Sequence, residues 1–393
     1  MRRGARLALA TGAAVAGAAA VRPVLDAAVA RVEARMNPVG TGDPSRASER
    51  AKALHASLRV ADLHADSLLW GRDLLQRGTR GAVDVPRLIE GNVALQVLAM
   101  AVKTPRGLNI ERNEDTSDQV LPLALAKRWP RATWGRNLPR VRYLAQQAHA
   151  LEARSHGAFR LITSQADLAA YLAARKARGG MTAGLLAIEG AHALDDDPRN
   201  LAAVADLGVR MISPAHFFDT AFGGSAHGAE QGGLTIRGRE LLEAMEARGV
   251  LFDVAHASAR TIDDTLALAT QPVVASHTGV RGVLDNSRNL PDAQLAGIAA
   301  TGGLVGIGFW DTACGGTDTA WIARSIAYAV DRIGPAHVAL GSDWDGAVGV
   351  PFDAASTVLL TDALLDAGLD EAAIRAVMGE NVLRVLAATL PAA

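Results

Sequence analysis

Residues Val250–His277 read VLFDVAHASARTIDDTLALATQPVVASH. An apolar run, Val250–Val254, leads to His256. A helical stretch, Ala259–Ala269, follows, and a second apolar run, Pro272–Ser276, leads to His277. Apolar run, helix and apolar run form a βαβ unit, whose two strands are parallel. Each strand ends on an imidazole, and the two histidines lie 21 positions apart. Neutral imidazoles suit Zn²⁺ and similar ions. The competing reading is a pair of hydrogen-bonded core histidines.

The same unit recurs in both directions along the chain. Candidate strands are Leu58–Leu63, Val93–Met100, Gly184–Ile188, Val209–Ser213, Leu304–Phe309 and His337–Gly341, which with the two above make eight. Helical stretches such as Gly238–Arg248 and Asp292–Ala300 lie between several of them. Strand and helix alternating over more than 250 residues predict an α/β fold, a (β/α)8 TIM barrel of the metal-dependent hydrolase type. An open doubly wound sheet is the competitor. A ninth run, Phe159–Thr163, reads as a peripheral strand. The polar, Arg-rich region Thr104–His156 reads as an insertion that shapes or covers a site.

The remaining strand ends carry metal-ligand residue types. His64 and Asp66 follow the first run. Residues two apart share a strand face, so both can reach one ion, with Asp62 behind them. Taken alone, such a pair is better explained by a strand-end turn, and its place at the end of the first run is what points to a ligand role. Glu189 follows Gly-Leu-Leu-Ala-Ile. A carboxylate there is costly to desolvate unless paired or bound to metal, and its two oxygens can bridge two ions. Asp343 ends the last run, where it can take a proton from a bound water. Asp345, two residues on, reads as a turn acid. His216 ends the fourth run and is placed to donate to an oxyanion or complete a pocket. Arg288, in the loop after His277, can hold a carboxylate bidentately. Asp253 is placed to orient the site or to satisfy buried backbone groups. His192, a loop histidine, reads as a surface or packing residue.

Composition narrows the classes. The chain has 393 residues and is 49% hydrophobic, enough for a large core. Its net charge of −1 gives no reason to expect nucleic acid as a partner. The single cysteine, Cys314, excludes an intramolecular disulfide and a multi-cysteine zinc site, so the ten histidines are the ligands to weigh. Arg2, Arg3 and Arg6 precede an uncharged Ala- and Gly-rich stretch, Leu7–Val21. Residues 1–36 are therefore expected to be an export signal or an N-terminal membrane anchor, placing the protein in a bacterial cell envelope, in the periplasm or on the inner membrane. Residues 37–50 read as a linker, and residues 51–393 as the barrel.

These residues, in this order, resemble the membrane (renal) dipeptidases, peptidase family M19. The matching stretches are Asp62-Leu-His-Ala-Asp66, Val83-Asp-Val-Pro-Arg-Leu88, Ile188-Glu-Gly190, Gly232-Gly-Leu-Thr235 with Gly238-Arg-Glu-Leu-Leu242, Asp253-Val-Ala-His256, Ser276-His-Thr278, Arg288-Asn-Leu-Pro-Asp292, Gly341-Ser-Asp-Trp-Asp-Gly346 and Gly379-Glu-Asn-Val-Leu-Arg384. The resemblance spans about Leu58 to Val385. It implies a (β/α)8 barrel with two zinc ions: His64 and Asp66 on one, His256 and His277 on the other, Glu189 bridging. It implies substrate contacts from His216 and Arg288, proton transfer by Asp343, a dipeptide substrate and a homodimer. Two departures touch the pocket. Ser67 and Leu68 stand where the family often has proline nearby, and Phe217–Gly228 matches the family's loop only loosely.

The expected reaction is hydrolysis of a dipeptide by hydroxide held between two divalent cations. One alternative is an amidohydrolase acting on N-acyl amino acids or cyclic amides. Many such enzymes bridge their metals with a carboxylated lysine, and here only Lys103 follows an apolar run. The other alternative is a non-catalytic, peptide-binding barrel.

Overall fold

The structure, a computed structural model, describes residues 22–393. Nine strands occur among these residues: β1 (Val60–Ala65), β2 (Val93–Ala101), β3 (Phe159–Leu161), β4 (Thr182–Glu189), β5 (Val209–Ile212), β6 (Leu251–Phe252), β7 (Val274–Thr278), β8 (Leu304–Ile307) and β9 (Val338–Leu340). All their pairings are parallel, in the order β6-β5-β4-β2-β1-β9-β8-β7, with β3 attached beside β4. The ends of that path meet at one bridge, Asp253 to Val274, which closes the ring. The architecture is the α/β barrel expected from the sequence, and β3 is the peripheral ninth strand.

Strands buried on both faces need apolar side chains on both, which is why they read as unbroken apolar runs. Leu98, Met100, Leu186 and Ile188 join the cluster that the outer helices complete. Alternating with them, Leu95, Val97, Leu185 and Ala187 join a second cluster. That cluster also takes Leu63, Met211, Leu251, Val274, Leu304 and Ala339, so it draws on every strand of the ring. Such a cluster fits only inside the ring. Glu189 continues the series of residues 185 and 187, and so its side chain turns inward at the end of β4.

The outer helices begin on side-chain caps. Ser164 caps Gln165–Arg178, Thr235 caps Ile236–Glu246 and Ser258 caps Ala259–Leu268, each accepting from the backbone N–H three residues on. The insertion after β2 divides by role. Its first part, residues 104–119, reaches the barrel mouth, whereas the helix Asn137–Arg154 packs in the outer core through Val141, Leu144 and Ala148.

Residues 22–36 are helical. Glu33 in that helix is buried, 2.7 Å from Arg72 Nε and 3.2 Å from Arg80 Nε. Asn37 accepts from the Ala347 amide at 2.7 Å, and Val350 and the backbone of residues 38–40 exchange hydrogen bonds. The turn-rich stretch that composition reads as a linker is thus joined to the loop that follows β9. Residues 1–21, which carry most of the export expectation, lie outside the described residues. Among the described residues no helix is long and apolar enough to cross a membrane.

Candidate metal centre

The fold brings the predicted ligands to one rim. His64 Nε2 lies 3.3 Å from Asp66 Oδ2, 3.5 Å from Glu189 Oε1 and 4.0 Å from Asp343 Oδ1. Glu189 Oε1 also lies 3.1 Å from His256 Nε2 and 3.4 Å from His277 Nε2, and its other oxygen lies 3.3 Å from His216 Nε2. Three groups have the spacing to hold an ion: His64, Glu189 and His277; Glu189, His216 and His256; and His64, Asp66 and Asp343. Glu189 and His64 each stand in two of them, and of the two Glu189 has a second oxygen to share.

Local backbone explains the convergence. β1 slips register between Asp62 and Ala65. The irregularity interrupts strict two-residue alternation there, and Asp62 parts from the other two acids and bases. It accepts from Gln96 Nε2 at 2.6 Å and from the Ser342 N–H and hydroxyl at 2.7 and 2.8 Å, tying β2, β1 and the end of β9 together. His256 and Asp343 sit in the left-handed region, at φ 61° and 58°. Non-glycine residues there cost on the order of 1–3 kcal/mol each and cluster at functional sites. Gly346 is required beside Asp343, because a Cβ at 346 would overlap the Asp343 carboxylate.

Asp345 is not a solvated turn acid. It is buried, accepts from Ser67 Oγ at 2.6 Å and the Ala82 amide at 2.7 Å, and pairs with Arg72. Asp253 accepts from the Ser276 N–H at 2.8 Å and its hydroxyl at 2.6 Å, beside the bridge that closes the barrel. With its proton given to Asp253, the Ser276 oxygen accepts from His277 Nδ1 at 2.9 Å. His277 therefore carries its hydrogen on Nδ1 and a bare lone pair on Nε2.

The electrostatics divide. Burial holds His256, His277 and His216 well below the usual imidazole range, so all three are neutral at pH 7. Burial, reinforced by Asp66 and Asp343, holds Glu189 well above the usual carboxylate range. Burial likewise drives Asp343 up to about 8. His64 goes the other way: burial opposes its charge, yet Glu189, Asp66 and Asp343 together push it up to about 10. Asp66 Oδ1 is buried with no hydrogen-bond partner, and so is His216 Nδ1. His256 Nε2 and His277 Nε2 face each other at 2.8 Å. Buried carboxylates, neutral imidazoles and an orphaned carboxylate oxygen around one point are the donor set that a divalent cation satisfies.

A cavity of about 270 Å³ opens onto these residues. Asp66, Glu189, His216, His256, Arg288 and Asp343 line it, together with the apolar side chains of Trp70, Ile110, Phe217 and Trp310. It is slightly smaller than the roughly 300–1,000 Å³ typical of drug-sized ligands. Arg288 is buried and donates from Nη2 to the His277 carbonyl at 2.6 Å. A larger groove, of about 1,100 Å³ beside residues 38–46, lies away from these ligands and contains none of them. Lys103 is in none of the ligand groups; it pairs with Asp115. His192 is buried against Phe218, with neither ring nitrogen hydrogen-bonded.

Sequence reasoning passed over His227. It is buried, with Nε2 3.1 Å from His256 Nδ1. It lies inside Phe217–Gly228, a loop in which Phe217, Phe218 and Phe222 interrupt small and polar residues at no regular period, so nothing marks the histidine as inward.

Comparison with known proteins agrees with this geometry. The sequence model described as membrane dipeptidase (peptidase family M19) matches residues 48–392. A Klebsiella pneumoniae protein, described as an uncharacterised protein in the pqqA 5' region, is 34% identical over 253 residues, 60% of this chain and 91% of its own. The crystal structure of dipeptidase AC, a family M19 metallopeptidase, superposes with a TM-score of 0.69 at 26% identity, covering 86% of this chain and all of that one. A Rhodobacter sphaeroides metallopeptidase, solved with a phosphinate mimic of the dipeptide L-Ala-D-Ala, superposes with a TM-score of 0.68 at 26% identity over 84% of this chain and 99% of its own.

Proposed function

The chain belongs to the membrane dipeptidase family, peptidase family M19, and is thus a metallopeptidase; on that premise we propose that it cleaves dipeptides with two zinc ions held by His64, Asp66, Glu189, His256 and His277. One observation carries the reading: two buried imidazole Nε2 atoms 2.8 Å apart, both facing the Glu189 oxygen that His64 also approaches. A carboxylate so placed can serve two cations at once. Bound there, the two cations supply Lewis acidity and lower the pKa of a water toward about 7.

The protein's own groups do the rest. Arg288 has one Nη committed to the His277 carbonyl, and the remainder of its guanidinium holds the substrate's terminal carboxylate. The small cavity limits what lies beyond that carboxylate to one further residue. His216, packed against Glu189, donates to the oxygen that becomes negative as the carbonyl is attacked. Asp343, lining the same cavity, takes the proton of the attacking water and delivers it to the leaving amine. The apolar lining of Trp70, Ile110, Phe217 and Trp310 favours uncharged side chains. The Rhodobacter relative's phosphinate ligand mimics L-Ala-D-Ala, and the same stereochemistry is the first substrate to try here. The order of charge and apolar residues in 1–22 adds the envelope as the place of action.

The test is zinc analysis joined to a panel of L,L and L,D dipeptides and N-acyl amino acids. About two zinc ions per chain and dipeptide hydrolysis are expected, with both reduced in His256→Ala and His277→Ala. A protein that binds no zinc, or that cleaves N-acyl amino acids and no dipeptide, ends this reading.

A further inference from the structure

His256 and His277 face the same carboxylate but are supported differently. His277 is set by Ser276 and Asp253, which lie on its own strand and at the adjoining seam. His256 has no carboxylate behind it. Its Nδ1 meets His227 Nε2 at 3.1 Å, and His227 Nδ1 meets the backbone carbonyl of Ile110 at 2.9 Å.

The direction of each hydrogen bond in this chain follows from one fact. A carbonyl oxygen only accepts, so His227 Nδ1 carries a hydrogen. In the neutral ring that leaves Nε2 bare, and Nε2 must accept from His256. His256 therefore carries its hydrogen on Nδ1, and its bare Nε2 faces Glu189 and His277. The bare Nε2 atoms of His256 and His277 then lie 2.8 Å apart, a contact that a cation between them relieves, whereas the opposite tautomer would set two lone pairs together at the 3.1 Å contact with His227 and turn an N–H toward the cation site.

His227 is itself held on every side. Its amide donates to Ser225 Oγ at 3.0 Å, its carbonyl accepts from the Asn113 amide at 2.7 Å, and Phe217 stacks on its ring with centroids 5.0 Å apart. The Ile110 carbonyl also accepts from Ser287 Oγ at 3.2 Å, next to Arg288. Ile110 lines the pocket. One carbonyl on the insertion loop thus touches the support of a ligand and the loop bearing the substrate arginine.

We propose that His227 is a positioning residue: through the Ile110 carbonyl it fixes the tautomer of His256 and couples the pocket-lining loop, residues 104–119, to one ion of the metal centre. This rests on the metal-centre reading above. The role is geometric, because the ring oriented by His227 presents its lone pair before an ion arrives.

Two measurements test it. Zinc affinity is measured by chelator competition in the parent, His227→Leu and His227→Gln, with circular dichroism as the check on folding. Loss of such a support costs roughly 10–100-fold in metal affinity. His227→Leu is expected to loosen one of the two ions by that factor, and His227→Gln, whose side-chain oxygen accepts at the Nε2 position, to restore most of it. The second measurement is ¹⁵N NMR of the histidine rings in the zinc-free parent, with expected protonation of His256 at Nδ1 and of His227 at Nδ1. A folded Leu variant that binds both ions as tightly as the parent overturns the proposal, and so does a parent with His256 protonated at Nε2. If the Leu variant does not fold, the tautomers decide alone. A parent that binds no zinc refutes the metal-centre reading, while the ring tautomers still decide the role of His227.

Discussion

The two halves of the rim solve opposite problems. On the side of β1, β4 and β9, Asp66, Glu189 and Asp343 crowd around His64; burial raises Glu189 and Asp343, while the surrounding carboxylates raise His64 against the effect of burial. On the side of β6 and β7, His256 and His277 are neutral, and each has a hydrogen-bonded support behind its Nδ1. The acidic half must give up protons to accept a cation. The imidazole half is ready beforehand. A centre built this way takes its affinity from the charges on one side and its geometry from the other.

Glu189 is where the halves meet, so changing it should have the largest effect. Glu189→Gln keeps the shape and removes the charge shared by both sides. Metal-assisted charge stabilisation is worth several kcal/mol. Activity should fall on the order of 10³-fold or more, with zinc reduced at both positions. A Gln variant that keeps two zinc ions and loses less than tenfold would show that the halves act independently.

Gly346→Ala probes the acidic half alone. Its new methyl overlaps the Asp343 carboxylate and must displace it. A misplacement of about 1 Å at a reacting group can cost about 10²-fold. That loss is expected in kcat, with zinc content unchanged, because His256, His277 and Glu189 are untouched. An unchanged kcat would remove Asp343 from the proton path.

Much of this was legible in the sequence because buried parallel strands are continuous apolar runs. The runs ending at Ile188, Val254 and Ser276 led directly to Glu189, His256 and His277. The failures have physical causes. Left-handed backbone at His256 and Asp343 carries no glycine or asparagine to announce it. Asp345 sits in a turn-like sequence, and its burial depends on Arg72, Ser67 and Ala82, all more than 260 residues away. β6 shortens to Leu251–Phe252, where Asp253 turns to bind Ser276, a contact that periodicity cannot foretell. The docking of residues 22–36 through Glu33 depends likewise on distant arginines.

On the imidazole side, Arg288 leans on the His277 carbonyl while facing the pocket. A hydrogen bond to a charged group is worth about 1.5–3 kcal/mol. Arg288→Ala should therefore raise KM for a dipeptide about 10–100-fold. A dipeptide amide, which lacks the carboxylate, should be nearly indifferent to the change. Equal losses for acid and amide would mean that the arginine supports His277 rather than binding substrate.

The smallest effect reports the proton imbalance itself. In zinc-stripped protein, His64 keeps its proton up to about pH 10, whereas the unfolded chain loses it near 6.5. The stability it contributes is full below pH 6.5 and is lost as pH rises through about 10. Asp343, raised to about 8 by burial, adds to the fall up to that pH, because the unfolded carboxylate is already ionised. Each proton so held lowers stability by about 1.4 kcal/mol per pH unit. Below pH 6.5 the buried neutral rings of His216, His256 and His277 act in the opposite sense, since the unfolded chain protonates them more readily. Stability without zinc should therefore peak near pH 6.5 and decline toward pH 10. Zinc displaces the protons of the acidic half and should flatten that decline. Thermal unfolding with EDTA and with zinc, from pH 6 to pH 10, measures the difference. Parallel curves under the two conditions would mean that the acidic half holds no proton that a cation must displace.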